Sequence, residues 1–370
     1  MSALFSPITL RGLTLSNRIM VAPMCQYSAG NGEANDWHFT HINSLALSGA
    51  AVFCIEATAV EPIGRITPGC LGLWNDATEA ALKPVLASVR RHSKAAVVMQ
   101  LAHAGRKASS HKPWDGGQLI PIAEGGWLPE GPSDVPHKES EAPPRALDDS
   151  GLKRIRDAFV AAAQRTARLG IDGIEVHCAH GYLLHQFLSP IANRRTDQYG
   201  GSLENRMRFP LEVFDAVRAA FPHDKPVGLR VSATDWIEGG WDLPQTIEFA
   251  HELKRRGVDW IDVSSGGVSP LQKIPLGPGY QVPLAQAVKE ATGVTTIAVG
   301  LITEAKQAEE IVASGKADMV ALARGFLYDP RWGWHAAAEL GGEVSAPPQY
   351  WRSQPSTQKA LFGATSFGTR

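Results

Sequence analysis

Eight short apolar runs alternate with amphipathic helical stretches along this chain, and that alternation limits what it can fold into more than any other feature. The runs are Arg18–Met24, Val52–Ala57, Ala95–Leu101, Ile174–His177, Val227–Val231, Trp260–Val263, Thr296–Val299 and Met319–Ala323. Ala95–Leu101 is almost continuously apolar, as strands covered on both faces are. Between the runs, Leu82, Val85, Leu86 and Val89 share one face of a helix expected over Glu79–Arg91. Leu152, Ile155, Phe159, Ala162 and Leu169 form the stripe of another, which Asp148, Asp149 or Ser150 can cap. Ser202 is the expected N-cap for Leu203–Ala220, and further helices are expected near His41–Leu47, Leu243–Arg255, Pro283–Ala291, Glu304–Ala313 and Arg331–Leu340. Strict β-then-α alternation repeated eight times predicts a (β/α)8 TIM barrel, an α/β fold, rather than an open sheet. No Gly-x-Gly-x-x-Gly follows a strand, which argues against a dinucleotide-binding sheet.

Length and charge narrow the reading further. With 370 residues, 44% of them hydrophobic, the chain suits a single barrel over residues 1–340 and a tail over 341–370 that contains Pro347-Pro348 and Tyr350-Trp351-Arg352. The stretch from about 107 to 145 is rich in Pro and Gly, carries Trp114 and Trp127, and shows no period, so a lid-like insertion is expected there. A formal net charge of −1 with dispersed basic residues points to neither nucleic acid nor a membrane surface as partner. The segment Met1–Gly12, with Pro7 and Arg11, lacks a secretory apolar core, and no run approaches transmembrane length. Cys25, Cys54, Cys70 and Cys178 show no Cys-x-x-Cys spacing, against a zinc ribbon or an iron–sulfur cluster. A cytoplasmic protein with reduced thiols is expected.

In such a barrel the chemistry collects at the C-terminal strand ends. The fourth run ends in His177, and a turn through Ala179, His180 and Gly181 then presents Tyr182. Two imidazoles and a phenol could hold a substrate oxygen and deliver a proton. They could also be two core or loop histidines, or ligands of a metal, although the helical His-Glu-x-x-His of a zinc peptidase does not occur. Gly300 and Arg324, at the ends of the seventh and eighth runs, suit a phosphate cup. Arg230 could pair with Glu175 or another barrel carboxylate, or face a ligand that develops negative charge. Gln100 can donate and accept at the edge of a heterocycle. Phosphate at one end, amide and guanidinium at the other: this is a footprint for flavin mononucleotide (FMN).

The residues that carry this footprint resemble those of the Old Yellow Enzyme family of FMN-dependent ene-reductases, along nearly the full length. The matching strings are APMCQYSA from Ala22, VFCIEATAV from Val52, QLAHAGR from Gln100, GIEVHCAHGYLLHQFLSP from Gly173 and NRRTDQYGGSLENRMRF from Asn193. Met24, Cys25 and Tyr27 are similar to the thermophilic-like subclass, which includes xenobiotic reductases. The resemblance implies that Ala22, Pro23, Met24, Cys25, Ala57, Gln100, His177, Arg230, Gly300, Ala323 and Arg324 hold FMN. It implies that His177 and His180 bind the substrate oxygen, that Tyr182 donates the proton, and that Tyr27 adds a substrate contact. Cys25 would tune the flavin rather than act as a nucleophile.

Also implied is a ping-pong cycle with NADPH, or NADH, as co-substrate and an activated enone, imide or nitro compound as oxidant. Arg352, in the string Gln349-Tyr350-Trp351-Arg352, resembles an arginine that reaches a neighbouring subunit's site, which implies a homodimer or homotetramer. One departure stands out: Leu301-Ile302 occupies the place where some xenobiotic reductases carry a Trp. The cysteine cluster of the family's iron–sulfur relatives is missing as well.

Overall fold

Parallel pairing joins the eight apolar runs into one closed barrel in a computed structural model that describes residues 2–365. Residue 1 and residues 366–370, the far end of the expected tail, lie outside the described residues. In chain order the strands are β1 (Ile19–Val21), β2 (Val52–Ala59), β3 (Ala96–Ala102), β4 (Gly173–Cys178), β5 (Val227–Ser232), β6 (Ile261–Ser264), β7 (Thr296–Val299) and β8 (Met319–Leu322). Each pairs with its neighbour in sequence, and β8 returns to β1 with Val320 opposite Ile19. The expected (β/α)8 barrel is the fold observed.

Every position of these strands is buried, and alternation decides which way each side chain goes. Ile19, Val21, Phe53, Ile55, Met99, Ile174, Val176, Leu229 and Val263 pack outward under the helices. Met20, Cys54, Val98, Trp260, Ile297, Met319 and Ala321 pack together inside the barrel. Leu10 and Leu15, from an antiparallel hairpin of Ile8–Leu10 with Leu13–Leu15, join that inner cluster at the N-terminal end. By the same alternation Glu56, Gln100, Glu175, His177, Arg230 and Asp262 face inward, nearer the other end. The barrel is therefore plugged by apolar side chains below and lined by polar ones above.

The helices are α1 (Asp36–Ala46), α2 (Asp76–His92), α3 (Asp149–Arg168), α4 (Leu183–Leu188), α5 (Leu203–Ala220), α6 (Leu243–Arg255), α7 (Val282–Thr292), α8 (Ala305–Ala313), α9 (Arg324–Tyr328) and α10 (Trp332–Leu340). The stripe of α3 is buried as its spacing requires, and removing a ring such as that of Phe159 from a site of this kind costs about 3–5 kcal/mol. Helix α1 begins five residues before the expected His41, because Asn35 caps it: its side chain accepts from the helix N-terminus while His38 Nδ1 accepts the Asn35 N–H. Helices α4 and α9 were not expected, since five or six residues are too few to display a helical period.

Residues 105–147 hold three single turns and a two-residue parallel bridge, Glu130–Gly131 with Arg145–Ala146. Buried Glu130 anchors this excursion through ion pairs to Arg145 and to Arg154 of α3, and Arg154 also reaches Glu61 Oε2 at 3.1 Å. Trp127 Nε1 donates to the Ile63 carbonyl at 2.9 Å. Beyond α10, Val344, Ala346, Leu361 and Phe362 fold back against Trp334 and Ala337. Among the described residues no helix is long and apolar enough to cross a membrane.

Candidate active site

The turn after β4 is shaped by glycines. Gly181 has φ +71, and a Cβ there would lie 2.1 Å from the Gly267 carbonyl oxygen. Gly267, at φ +95, faces the His180 backbone in return, so the turn lies directly on the loop that follows β6. His180 itself sits at φ +58, a conformation that costs roughly 1–3 kcal/mol outside glycine and needs outside support. Its N–H donates to Ser232 Oγ at 2.9 Å, and its carbonyl accepts from Lys107 Nζ at 2.8 Å.

On this turn the three expected rings meet. His177 and Tyr182 have centroids 5.0 Å apart, His177 and His180 5.3 Å, both edge to face. His177 Nδ1 accepts the Ala179 N–H at 3.3 Å, so a neutral ring carries its proton on Nε2 and keeps that donor for a ligand. His180 differs: its Nε2 is held by Ser264 Oγ at 2.7 Å, which leaves Nδ1. Burial first, and then the charge of Arg230, holds both imidazoles well below their usual pKa, so both are neutral at pH 7. Burial also pushes the Tyr182 phenol well up, so it keeps its proton.

Beneath the rings lies the polar layer. Gln100 Nε2 and Trp260 Nε1 both donate to Glu175, at 2.8 and 3.1 Å. The Trp260 indole fills the space beside Gly228, where a Cβ would sit 2.0 Å from the ring. Arg230 takes as its carboxylate Asp262, the residue opposite it on β6, at 3.1 Å. The Arg230 Nε–H is nonetheless not aligned for a hydrogen bond, and it remains an orphaned buried donor. Gln100, having given its amide N–H to Glu175, has its carbonyl oxygen left to accept.

The β1 end brings Pro23, Met24, Cys25 and Tyr27 to the same mouth. The Gln26 N–H donates to Glu56 Oε2 at 3.0 Å, and Tyr27 holds φ +51 against Gly69, where a Cβ would lie 2.4 Å from the Tyr27 carbonyl oxygen. Burial, then the neighbouring Cys70 and Glu56, raises the Cys25 thiol well above its usual pKa; a thiol so placed is a poor nucleophile. Burial pushes Glu56 up to about 8. Ala22 and Ala57 are buried beside this loop, and the Ala22 N–H donates to Leu322 O at 2.9 Å, tying β1 to β8. A cavity of about 300 Å³ runs from Tyr27 past Thr67, Arg106 and Lys107 to His137 and Lys138 of the excursion.

Two residues of the strings that carry the resemblance, His103 in the string from Gln100 and Arg352, do not bring their side chains to the three rings. His103, at the end of β3, has both nitrogens committed: Nε2 to Glu61 Oε1 at 2.9 Å and Nδ1 to the Gly105 N–H at 3.0 Å. Arg352 sits on a turn over Pro348–Ser353, and its neighbour Trp351 lines a groove with Ala51, Ala96 and Asp172 at the opposite ends of the strands. Within one chain it does not reach the three rings. Three residues escaped the sequence reading: Glu56, Lys107 and Asp262. A charged residue inside an apolar run was the available signal for Glu56 and Asp262. Nothing local marked Lys107. Ser264 is legible as the end of the sixth run, but its bond to His180 is not.

Several features fit FMN. Arg324 is exposed and, among the described residues, has no hydrogen-bond or ion-pair partner, as a phosphate-binding guanidinium requires. Gly300 adopts φ +122, and a Cβ there would crowd Gln281 Nε2 at 2.7 Å, so the backbone stays open at the β7 end. The orphaned Arg230 Nε–H and the Gln100 carbonyl suit a heterocycle with alternating acceptors and N–H groups. A metal fits less well. Among the described residues the cluster of potential ligands is Glu61, His103 and Glu130, already neutralised by arginines, and His177 and His180 gain no third ligand.

Comparison with known proteins agrees. Residues 3–342 match the NADH:flavin oxidoreductase / NADH oxidase family. The chain is 43% identical to an NADPH dehydrogenase of Geobacillus thermodenitrificans over 353 residues, covering 95% of this chain and 98% of the relative. It is 44% identical to an NADH:flavin oxidoreductase of Gibberella zeae over 363 residues, covering 93% and 87%. Among solved structures, morphinone reductase superposes with a TM-score of 0.77 at 30% identity, covering 94% of this chain and 91% of that one. With the barrel, the flavin-compatible mouth and these relatives together, the chain belongs to the NADH:flavin oxidoreductase / NADH oxidase family, that of Old Yellow Enzyme, and is an FMN-dependent oxidoreductase served by NAD(P)H.

Proposed function

We propose that this enzyme reduces the activated C=C bond of α,β-unsaturated aldehydes, ketones, imides and nitro compounds, in a ping-pong cycle in which NADPH, or NADH, is oxidised first. The observation that carries the reading is the meeting of His177, His180 and Tyr182 at 5.0 and 5.3 Å over an inward-facing arginine. FMN, when bound, supplies the hydride chemistry between nicotinamide and the substrate's β-carbon. Ala22, Pro23, Met24, Cys25, Ala57, Gln100, His177, Arg230, Gly300, Ala323 and Arg324 would hold it.

The side chains then do the rest. His177 Nε2–H and His180 Nδ1–H bind the activating oxygen; in that tautomer His180 Nε2 accepts the Ser264 hydroxyl at 2.7 Å, while Ser265 Oγ supplies the donor to Gln281 Oε1. Because both imidazoles are neutral, they polarise the oxygen as hydrogen-bond donors without handing over a proton. Tyr182 protonates the α-carbon, and Tyr27 contacts the substrate from the β1 side. Trp114, edge-on to Tyr27 at 5.8 Å, caps that side as part of the lid formed by residues 107–145. Arg352 of a second copy, in a homodimer or homotetramer, completes the pocket, consistent with its distance from the site of its own chain. The four free thiols suit a reducing, cytoplasmic setting.

Stopped-flow kinetics of the two half-reactions test this. Tyr182→Phe is expected to slow reoxidation by 2-cyclohexenone by roughly 10²–10⁴-fold, the usual worth of a positioned general acid, with reduction by NADPH nearly unchanged. Equal losses in both half-reactions would remove Tyr182 from the donor role, and an enzyme whose NADPH oxidation no enone accelerates would end the reading.

A further inference from the structure

We propose that Lys107 is a positioning residue of the proton-transfer step: it holds an ammonium against the face of Tyr182 and so makes the phenol a stronger acid. This rests on the reading of Tyr182 as proton donor. Lys107 Nζ lies 4.8 Å from the Tyr182 ring centroid and donates to two neutral carbonyls, those of His180 at 2.8 Å and Gly267 at 3.0 Å. Among the described residues no carboxylate touches it. The charged and titratable groups around it are Arg106, His137 and Lys138 of the excursion, His177 and His180 of the β4 turn, and Glu141, the one anion among them.

A lysine half-withdrawn from water with no anion in contact is expensive unless its charge serves something nearby. Burial lowers its pKa to about 8, and Arg106 adds to that. What the charge faces is the π-surface of Tyr182. An ammonium there favours the electron-rich phenolate over the phenol, opposing the burial that otherwise holds the Tyr182 proton tightly. In the transfer the Tyr182 O–H bond breaks, the electron pair at the α-carbon forms the new C–H bond, and the phenolate regains a proton from water. Lys107 loses none. Its two carbonyl contacts join the β4 turn to the β6 loop, which keeps the ammonium in register with the ring.

The test compares wild type, Lys107→Met and Lys107→Arg as FMN-loaded enzymes, with the half-reactions measured separately from pH 6 to 10. Lys107→Met is expected to slow reoxidation by 2-cyclohexenone about tenfold or more, with reduction by NADPH within about twofold. Wild-type reoxidation should fall as pH rises through about 8, where Lys107 loses its charge. That fall should vanish in Lys107→Met and move to higher pH in Lys107→Arg, which keeps the charge and most of the rate. In a Tyr182→Phe background Lys107→Met should slow reoxidation no further, since the acid it tunes is gone. Losses shared equally by both half-reactions, an unchanged pH profile in Lys107→Met, or additive losses with Tyr182→Phe would overturn the proposal. If Tyr182→Phe alone leaves reoxidation intact, the donor assignment fails first and takes this one with it.

Discussion

His177 serves two partners from one ring: Nδ1 holds the Ala179 N–H, and Nε2–H is left for a ligand. Phenols, whose oxyanion mimics a developing enolate, should therefore bind His177→Ala more weakly by about 1.5–3 kcal/mol, the worth of one hydrogen bond to a charged group. Titration of the flavin absorbance would measure it; unchanged phenol affinity would exclude His177 from oxygen binding. Glu56 offers a prediction of the opposite kind. Its pKa, raised by burial to about 8, means that the folded state keeps a proton which the unfolded chain releases near the ordinary carboxylate pKa. Stability from this group is present in full below that ordinary value and is lost as pH rises towards 8. Glu56→Gln can still accept the Gln26 N–H and escapes the loss. Its melting temperature relative to wild type should climb between pH 5 and 8, and a difference independent of pH would show that Glu56 is ionised. The ring trio was legible in the sequence because its members lie within six residues on one turn. Ser264 could not be paired with His180 from sequence, since 84 residues separate them.

At the scale of elements, the barrel strands were readable to within a few residues, because apolar runs and their spacing are local properties. Helix ends were set by caps such as Asn35, which apolar periodicity does not reveal. The excursion could be recognised only by its lack of pattern. What holds it down is a set of ion pairs from α3 and from the connection after β2, centred on buried Glu130 and on Glu61. Arg154 is partly exposed, so its anchoring is worth on the order of 1 kcal/mol. Arg154→Ala should accelerate proteolytic cleavage within residues 107–145 several-fold while barely shifting the melting of the barrel. Equal protection in wild type and variant would show that the excursion is held by other contacts, such as that of Trp127.

For the whole molecule, the barrel is a rigid cup whose mouth gathers groups from β1, β3, β4, β5, β7 and β8. A ligand spanning them must couple to global stability. At free FMN about 100-fold above its dissociation constant, binding adds ~2.7 kcal/mol to unfolding. The apoprotein should accordingly melt at a temperature that rises with added FMN, and less steeply in Arg324→Ala, which loses the exposed guanidinium. A melting curve indifferent to FMN would contradict the assignment of this mouth as the flavin site.

Sequence alone determined the eightfold alternation, hence the barrel, and with it the strand ends where His177, Arg230, Gly300 and Arg324 would gather. Those inferences need only periodicity and a topology in which neighbours in sequence are neighbours in space. Tertiary structure decided which carboxylate meets Arg230, which nitrogen of His180 stays available, and that Lys107 stands over Tyr182. These depend on separations of a few ångströms between residues far apart in the chain, and no local pattern encodes such distances.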